Sequence, residues 1–276
     1  MKLSNLLTSL NKPSKTFALA AIVSAAVFGV SGEASATAFD SGIPAGWTCT
    51  GNCGTLGANG VVTASPEGGA YGWVSTNSGL TGLALGLGSE TTGSRLRSTL
   101  FPAVAGDDLV FNFNFVTSDG AGFADYAWAR LLDSALSQVA VLFTARTTPA
   151  GNSVPGFGMP AIAATMAPAV VTIVPGGPSW SPLGSSSGTC YQTGCGYSGW
   201  VESTYNIAAD GNYILEFGTV NWLDSAFQTG MAFDGITIAG VPIEDGNNNS
   251  VPEPSSLLLL GLGLAGLAAA RRRKTA

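Results

Sequence analysis

The feature that most constrains the fold is a period-two alternation of apolar and polar side chains at residues 109–115. Asn112 and Asn114 stand between large apolar residues. Successive side chains of a β-strand point to opposite faces, so this pattern predicts a strand with one face on a core. We expect both asparagines to face outward, and the apolar set to face the core: Leu109, Phe111, Phe113 and Phe115.

Further strand patterns follow on both sides of a Gly-, Pro- and Ser-rich stretch at 147–198. They cover residues 125–133, 138–146, 200–207, 212–218 and 231–239, and the first two are joined by a turn at 134–137. The piece 159–174 could be a strand pair or a packed loop. Thirty-eight glycines and 10% charged residues indicate many turns. The sequence predicts an all-β ectodomain at 37–245, a β-sandwich most simply of the jelly-roll kind.

The first 36 residues have the layout of a secretory signal peptide, with a signal helix. Lysines 2, 12 and 15 precede an uncharged run at 17–30, and Ala34 and Ala36 supply the small side chains that signal peptidase accepts. We expect export across the inner membrane and cleavage within two residues of Ala36. An uncleaved membrane anchor is the alternative.

The C-terminal segment 251–276 is separated from the ectodomain by a polar linker at 246–250. It begins with Val251, Pro252, Glu253 and Pro254, and an apolar run at 257–270 follows. The two prolines disfavour a helix and keep the motif extended. The basic end consists of Arg271, Arg272, Arg273 and Lys274. By the positive-inside rule these cations stay cytoplasmic, which places the ectodomain across the membrane.

This arrangement resembles the PEP-CTERM sorting signal, in which a Pro-Glu-Pro motif, an apolar helix and a basic end are recognised by exosortase. The resemblance implies an exosortase substrate of a Gram-negative-type bacterium, held transiently in the membrane and then released to the cell surface or extracellular matrix. Fourteen apolar residues rise about 21 Å as a helix, against about 30 Å of hydrocarbon. A permanent single-pass transmembrane anchor is the alternative, but a short helix suits a segment that is cut away.

The charge balance excludes several classes of partner and reaction. Between residues 37 and 254, sixteen carboxylates face four arginines, a net charge of −12, and the chain has no histidine. Nucleic acid needs cationic contacts to phosphate, so it is not an expected partner. Without histidine, the common catalytic triads and the histidine-containing zinc sites are also excluded. Carboxylate-only glycosidase chemistry stays open as a remote alternative, with Glu202 and Glu216 as its candidate pair.

The four cysteines form two local pairs in Gly-flanked loops, Cys49 with Cys53 and Cys190 with Cys195. Disulfides are expected in an oxidising compartment. We favour the local pairings, because each pair is close in sequence and its glycines permit a tight loop. Cross-pairing and a tetrathiolate zinc site stay open.

The ectodomain also resembles, over about 107–239, a jelly-roll-like domain class found in many PEP-CTERM proteins. The resemblance rests on the Phe-x-Phe-x-Phe strand, an Asp-Tyr-Ala strand at 125–127, and closing strands at 211–218 and 232–236. Relatives of that class include carbohydrate-binding modules, in which an acidic residue of the last strand often helps to hold a structural Ca²⁺. The resemblance therefore implies Asp234, Asp125 and Asp119 as candidate calcium ligands.

Trp180 and Trp222 stand in loop-like surroundings and are our candidates for stacking on sugar rings. Together these features predict a non-catalytic surface protein with a structural or adhesive role in the envelope or biofilm. The alternative is a calcium-stabilised, carbohydrate-binding-module-like protein that binds extracellular polysaccharide.

Overall fold

A computed structural model describes residues 38–148 and 152–243. These residues form one short 3-10 helix, Ser181–Ser186, and sixteen strands: β1 Thr48–Thr50, β2 Asn52–Leu56, β3 Tyr71–Ser75, β4 Leu80–Thr81, β5 Glu90–Arg97, β6 Phe101–Ala103, β7 Asp108–Thr117, β8 Tyr126–Asp133, β9 Gln138–Arg146, β10 Thr165–Ala167, β11 Val174–Pro175, β12 Gly196–Tyr197, β13 Val201–Asn206, β14 Gly211–Trp222, β15 Thr229–Ile238 and β16 Val241–Pro242. The predicted signal helix, linker and sorting tail lie outside the described residues.

The strands make two antiparallel sheets. The first sheet has the order β1-β5-β14-β8-β9, with β4 paired to β5 and β6 paired to β14. The second sheet has the order β10-β13-β7-β15-β3-β2, with β12 on β7, β11 on β12 and β16 on β15. Neighbours such as β14 and β8 are far apart in the chain, which is typical of β-sandwich connections.

The two sheets pack face to face, as the aromatic core shows. Phe113 of the second sheet stacks on Phe143 of the first with ring centroids 3.8 Å apart. Phe217 of the first sheet stacks on Phe233 of the second at 3.9 Å. All four side chains are fully buried. The predicted all-β sandwich is therefore confirmed.

The predicted strands are confirmed with small shifts in their ends. The alternating segment lies within β7, and its four apolar side chains are buried in the core that both sheets share. The segment 138–146 coincides with β9, while β14 extends four residues beyond the predicted 212–218. Within 159–174 the chain is mainly a packed loop, and Ile162 and Val171 rest on the core.

The prediction that Asn112 and Asn114 face outward needs a correction. They point away from the core, yet their exposed fractions are only 8% and 1%. A second apolar cluster covers this outer face, with Trp180 and Leu183 from the 3-10 helix region packed beside Tyr71. The second sheet is thus covered on both faces, which an alternating pattern does not reveal.

Candidate functional site

An open depression of about 260 Å³ lies where β2, β3 and the 3-10 helix meet. It is lined by Asn52, Thr55, Leu56, Trp73, Asn77, Ser181 and Pro182. Its volume is just below the range of about 300–1,000 Å³ that is usual for ligand pockets. The lining combines the aromatic ring of Trp73 with amide and hydroxyl side chains. Such a lining suits a small cyclic ligand with polar groups better than a long apolar ligand.

Trp73 is positioned by a glycine on the neighbouring strand. Gly54 is its partner in the register of β2 and β3. A Cβ at position 54 would lie 2.6 Å from Cζ2 of Trp73, so the indole rests directly against the backbone of β2. A larger residue at Gly54 would displace the ring. The arrangement holds one half-buried aromatic face in a set orientation.

Hydrogen-bonding side chains line the depression around this ring. The indole N–H of Trp73 is buried and has no acceptor among the described residues. Asn52 donates through its side-chain amide to the carbonyl of Asn77 at 2.7 Å, which fixes both residues at the rim. Buried donors ordinarily find a partner, so the Trp73 N–H is an exception among the described residues.

Trp180, predicted as a stacking platform, is placed differently by the structure. Its side chain is fully buried, and its indole N–H donates to the hydroxyl of Tyr71 at 3.0 Å. Because neither face is open, the stacking prediction for Trp180 is wrong, although Ser181 and Pro182 beside it do line the depression. Trp222 is half-buried, with the guanidinium carbon of Arg146 4.5 Å from its ring centroid. Its role in glycan binding stays a prediction.

Asp119 and Asp125, two of the predicted calcium ligands, are buried near one end of the sandwich. Asp125 accepts hydrogen bonds from the Thr229 hydroxyl and the Trp222 backbone N–H, both at 2.7 Å. Burial and repulsion from Asp119 raise its pKa well above the ordinary value. Burial likewise raises the pKa of Asp119 to about 7, with a smaller contribution from Asp224. One oxygen of Asp119 has no hydrogen-bond partner within the described ranges.

Asp234 belongs to a different acidic group. It lies on β15 and accepts a short hydrogen bond from the Ser65 hydroxyl. Burial raises its pKa to about 6, and the charges of Asp40 and Glu67 contribute. Among residues 38–148 and 152–243, no group of three or more His, Cys, Asp or Glu side chains has the arrangement of a metal site. The three aspartates are thus not brought together as one ligand set, and calcium binding stays a prediction.

The glutamates of the remote glycosidase alternative lie in different sheets. Glu202 is exposed on β13 of the second sheet, and Glu216 is fully buried on β14 of the first. Glu216 accepts hydrogen bonds from Nε of Arg97 at 2.7 Å and from Nε of Arg130 at 2.6 Å. Burial raises its pKa, but these contacts and the Trp128 N–H outweigh burial and hold the pKa below its ordinary value. A carboxylate that is held ionised cannot donate the proton that a general acid supplies, and the structure does not bring the two glutamates together on one sheet.

The cysteines form the two local disulfides expected from the sequence, Cys49–Cys53 and Cys190–Cys195. The first one bridges β1 of the first sheet to β2 of the second, where the chain crosses between sheets. Cys53 is close to the depression, since it directly precedes Gly54 on β2. The local pairings are confirmed over cross-pairing and over a tetrathiolate zinc site.

Nothing in the local pattern distinguishes Trp73 from the other tryptophans, and the sequence prediction did not include it. The available signal is the strand 71–75 itself, in which the large rings of Tyr71 and Trp73 alternate with Gly72 and Val74. Its partner Gly54 and the rim residues Ser181 and Pro182 come from other parts of the chain. The depression therefore exists only once the register of β2 and β3 and the docking of the 3-10 helix are known.

In the described part of the chain, no helix has the length and apolar character needed to cross a bilayer. The predicted cleavage residues Ala34 and Ala36 and the whole C-terminal signal lie outside the described residues. The family model of the PEP-CTERM protein-sorting motif matches residues 250–274. This match covers the Pro-Glu-Pro motif, the apolar run and the basic end.

No curated protein sequence matches the chain. Two solved structures are similar to it over 73% of its length, both from Porphyromonas gingivalis W83. One is the K1 cleaved adhesin domain of Lys-gingipain, with 12% identity, 94% of that chain covered and a TM-score of 0.37. The other is the K3 cleaved adhesin domain, with 13% identity, 96% covered and a TM-score of 0.33. Similarity at this level carries no conclusion about function.

The motif at 250–274 implies export and a cell-surface or extracellular location, with exosortase as the processing partner. The two sheets and their shared aromatic core define the domain that the motif follows. The chain therefore carries a PEP-CTERM protein-sorting motif after a disulfide-bonded β-sandwich domain.

Proposed function

We propose that this chain is a non-catalytic surface protein that exosortase processes at its Pro-Glu-Pro motif and that acts structurally or adhesively in the envelope or biofilm. The match of the sorting motif to residues 250–274 is the observation that carries the proposal. In this proposal signal peptidase removes residues 1–36 during export. The apolar run 257–270 then holds the chain in the membrane until exosortase acts.

The ectodomain is consistent with an exposed, passive role. Its two disulfides close short loops, and its sandwich shares one continuous core between both sheets. Disulfides form and persist in oxidising compartments outside the cytosol, so these links fit an exported domain. Ion pairs with Arg97 and Arg130 also occupy both oxygens of Glu216, one of the two carboxylates of the remote glycosidase alternative.

The sorting step is tested with a matched pair of proline variants in the native host. The double variant P252A/P254A removes the motif, while P242A changes a second Val-Pro dipeptide ten residues upstream. We expect the double variant to accumulate in the membrane with its tail intact, and P242A to be released like the wild type. Equal processing of all three chains would refute recognition at Pro-Glu-Pro.

The second candidate function is binding of a neutral polysaccharide at the Trp73 depression. One observation favours it: a half-buried indole, set by Gly54, stands among amide and hydroxyl groups and has an unpartnered N–H. Pyranose rings offer an apolar face for the indole and hydroxyls for the amides. An acidic domain without lysine does not repel such a neutral polymer.

Glycan binding is tested on an array of neutral oligosaccharides with the variants W73A and W222A. Loss of one stacked aromatic ring weakens binding by about 2- to 12-fold, since such a contact contributes roughly 0.5–1.5 kcal/mol. We expect W73A to lose the signal and W222A to retain it. Retention by W73A with loss by W222A would move the site to the originally predicted tryptophan, and an array without hits would remove this candidate.

A further inference from the structure

All four cations of the described residues lie on the first sheet, and three of them surround Glu216. Arg97 of β5 and Arg130 of β8 are the direct register partners of Glu216 on its two sides. Arg95 lies two residues before Arg97 on the same strand, so it shares the same face. We call Arg95, Arg97, Arg130 and Glu216 the arginine cluster. This placement concentrates positive charge on one outer face of an otherwise acidic domain.

The cluster holds more donors than its one carboxylate can accept. Arg97 and Arg130 each reach Glu216 through Nε. A third donor, the indole N–H of Trp128, contacts the same oxygen as Arg130 at 3.1 Å. Both oxygens of Glu216 are therefore occupied. A guanidinium carries five N–H donors, so the terminal amino groups of Arg97 and Arg130 remain for another acceptor.

These terminal amino groups can be reached from solvent. The side chains of Arg97 and Arg130 are 20% and 19% exposed, whereas that of Glu216 is fully buried. Only the Nε atoms contact the buried carboxylate among the described contacts, so the terminal amino groups are not occupied by Glu216. A ligand approaching the sheet would meet the two forks before it met Glu216.

Arg95 has no counterion in the part of the chain that the structure describes. Its Nε is buried without a hydrogen-bond partner, and it forms no ion pair there. Burial lowers the pKa of Arg95, repulsion from Arg97 and Arg130 lowers it further, and Glu216 only partly offsets this. A purely structural ion-pair network would be expected to satisfy its own charges. Here three cations share one carboxylate, an excess of two positive charges.

We propose that the arginine cluster is a binding site for a planar or tetrahedral oxyanion group, a carboxylate or a sulfate, carried by an extracellular saccharide. Arginine forks bind both groups through paired N–H···O contacts, which are short and about twice as strong as neutral hydrogen bonds. Arg95 supplies a positive charge without a counterion among the described residues, and the terminal amino groups of Arg97 and Arg130 supply donors. This site lies on the first sheet and does not depend on the Trp73 depression or on the sorting of the chain.

The test measures binding of galacturonate and sulfate to the exported protein by calorimetry, with glucose as a neutral control. The variant R95Q removes the cation that is not paired to Glu216. The matched variant R146Q removes the same charge from the same sheet, where Arg146 instead packs on Trp222 and donates to the carbonyl of Ala124. We expect R95Q to raise the Kd for the anions at least 10-fold and R146Q to change it less than 2-fold.

A further variant, R95K, serves as a control if R95Q folds poorly. Lysine keeps the positive charge at position 95 but lacks the planar guanidinium group. We expect R95K to bind more weakly than the wild type and more tightly than R95Q. A preference for galacturonate assigns the site to a sugar carboxylate, and a preference for sulfate assigns it to a sulfated sugar. Equal weakening by R95Q and R146Q would mean that anion binding depends only on the total positive charge of the sheet, which would contradict a specific site. A wild type that binds neither anion would also overturn the proposal.

Discussion

Replacing Glu216 by glutamine leaves two guanidinium groups without the carboxylate that lies between them. In the wild type each of the two contacts is a charge-assisted hydrogen bond, at 2.7 Å from Arg97 and 2.6 Å from Arg130. Such bonds contribute about 1.5–3 kcal/mol each. Glutamine keeps one acceptor oxygen and no charge, so about half of this interaction is lost, and repulsion among the three arginines is no longer compensated.

The arginines are about one-fifth exposed, so water partly replaces the lost partner. We therefore place the loss near the lower end of the range for breaking a buried pair, at about 3 kcal/mol of unfolding free energy. For a domain of this size each kcal/mol corresponds to about 2–4 °C. The expected fall in Tm is about 6–12 °C. It is measured at pH 7 by thermal unfolding without reductant, so that both disulfides stay closed.

The matched control is E202Q, which changes the same residue type at an exposed position on β13. It should alter the unfolding free energy by no more than about 0.5 kcal/mol. The pKa of Glu216 is lowered in the folded state, so its contribution is present above the unfolded pKa and disappears as pH falls through the folded value. The difference between E216Q and the wild type should thus shrink at acid pH. A Tm of E216Q within 2 °C of E202Q at pH 7 would refute the reasoning.

Two further predictions concern the acidic end of the sandwich and the short covalent loops. The pKa of Asp119 is raised to about 7 from 3.8, so the folded protein binds more protons than the unfolded chain between those values. In buffer with chelator, the free energy of unfolding should fall as pH rises from about 4 to 7, and D119N should flatten this slope. Added calcium would reverse the slope if the predicted ligands hold the ion. A flat profile of the wild type would contradict the argument that burial raises the pKa of Asp119. The variant C190S/C195S removes the disulfide between two cysteines with a sequence separation of 5. The chain-entropy model predicts that the free energy of unfolding, measured in urea, falls by about 2 kcal/mol. A fall below about 0.5 kcal/mol would contradict that expectation.

The strands were predictable because period-two alternation reports directly on a sheet with one face on a core. The alternation at 109–115 identified the apolar face of β7, but it could not show that Asn114 is covered on the other side. That burial depends on a loop more than sixty residues away. Likewise the Pro and Ser residues around Trp180 correctly indicated irregular chain, yet irregular chain can still be packed inside.

The candidate sites depend on register, which local patterns do not specify. Arg97, Glu216 and Arg130 become neighbours only because β5 and β8 both pair with β14 in one particular alignment. Trp73 lies against the backbone of β2 at the depression only because Gly54 is its register partner. The sorting motif is different, since its Pro-Glu-Pro, apolar run and basic end are contiguous in sequence and can be recognised without a fold.

The central claim, that this chain is delivered to the surface and cut at its C-terminal signal, is tested most directly by the intact mass of the surface form. Mass spectrometry of protein released from the cell surface measures both ends of the chain at once. We expect a mature protein that starts near Thr37 and lacks residues 257–276. A surface form that retains the apolar run and Arg271–Lys274 would contradict the claim and indicate a permanent membrane anchor.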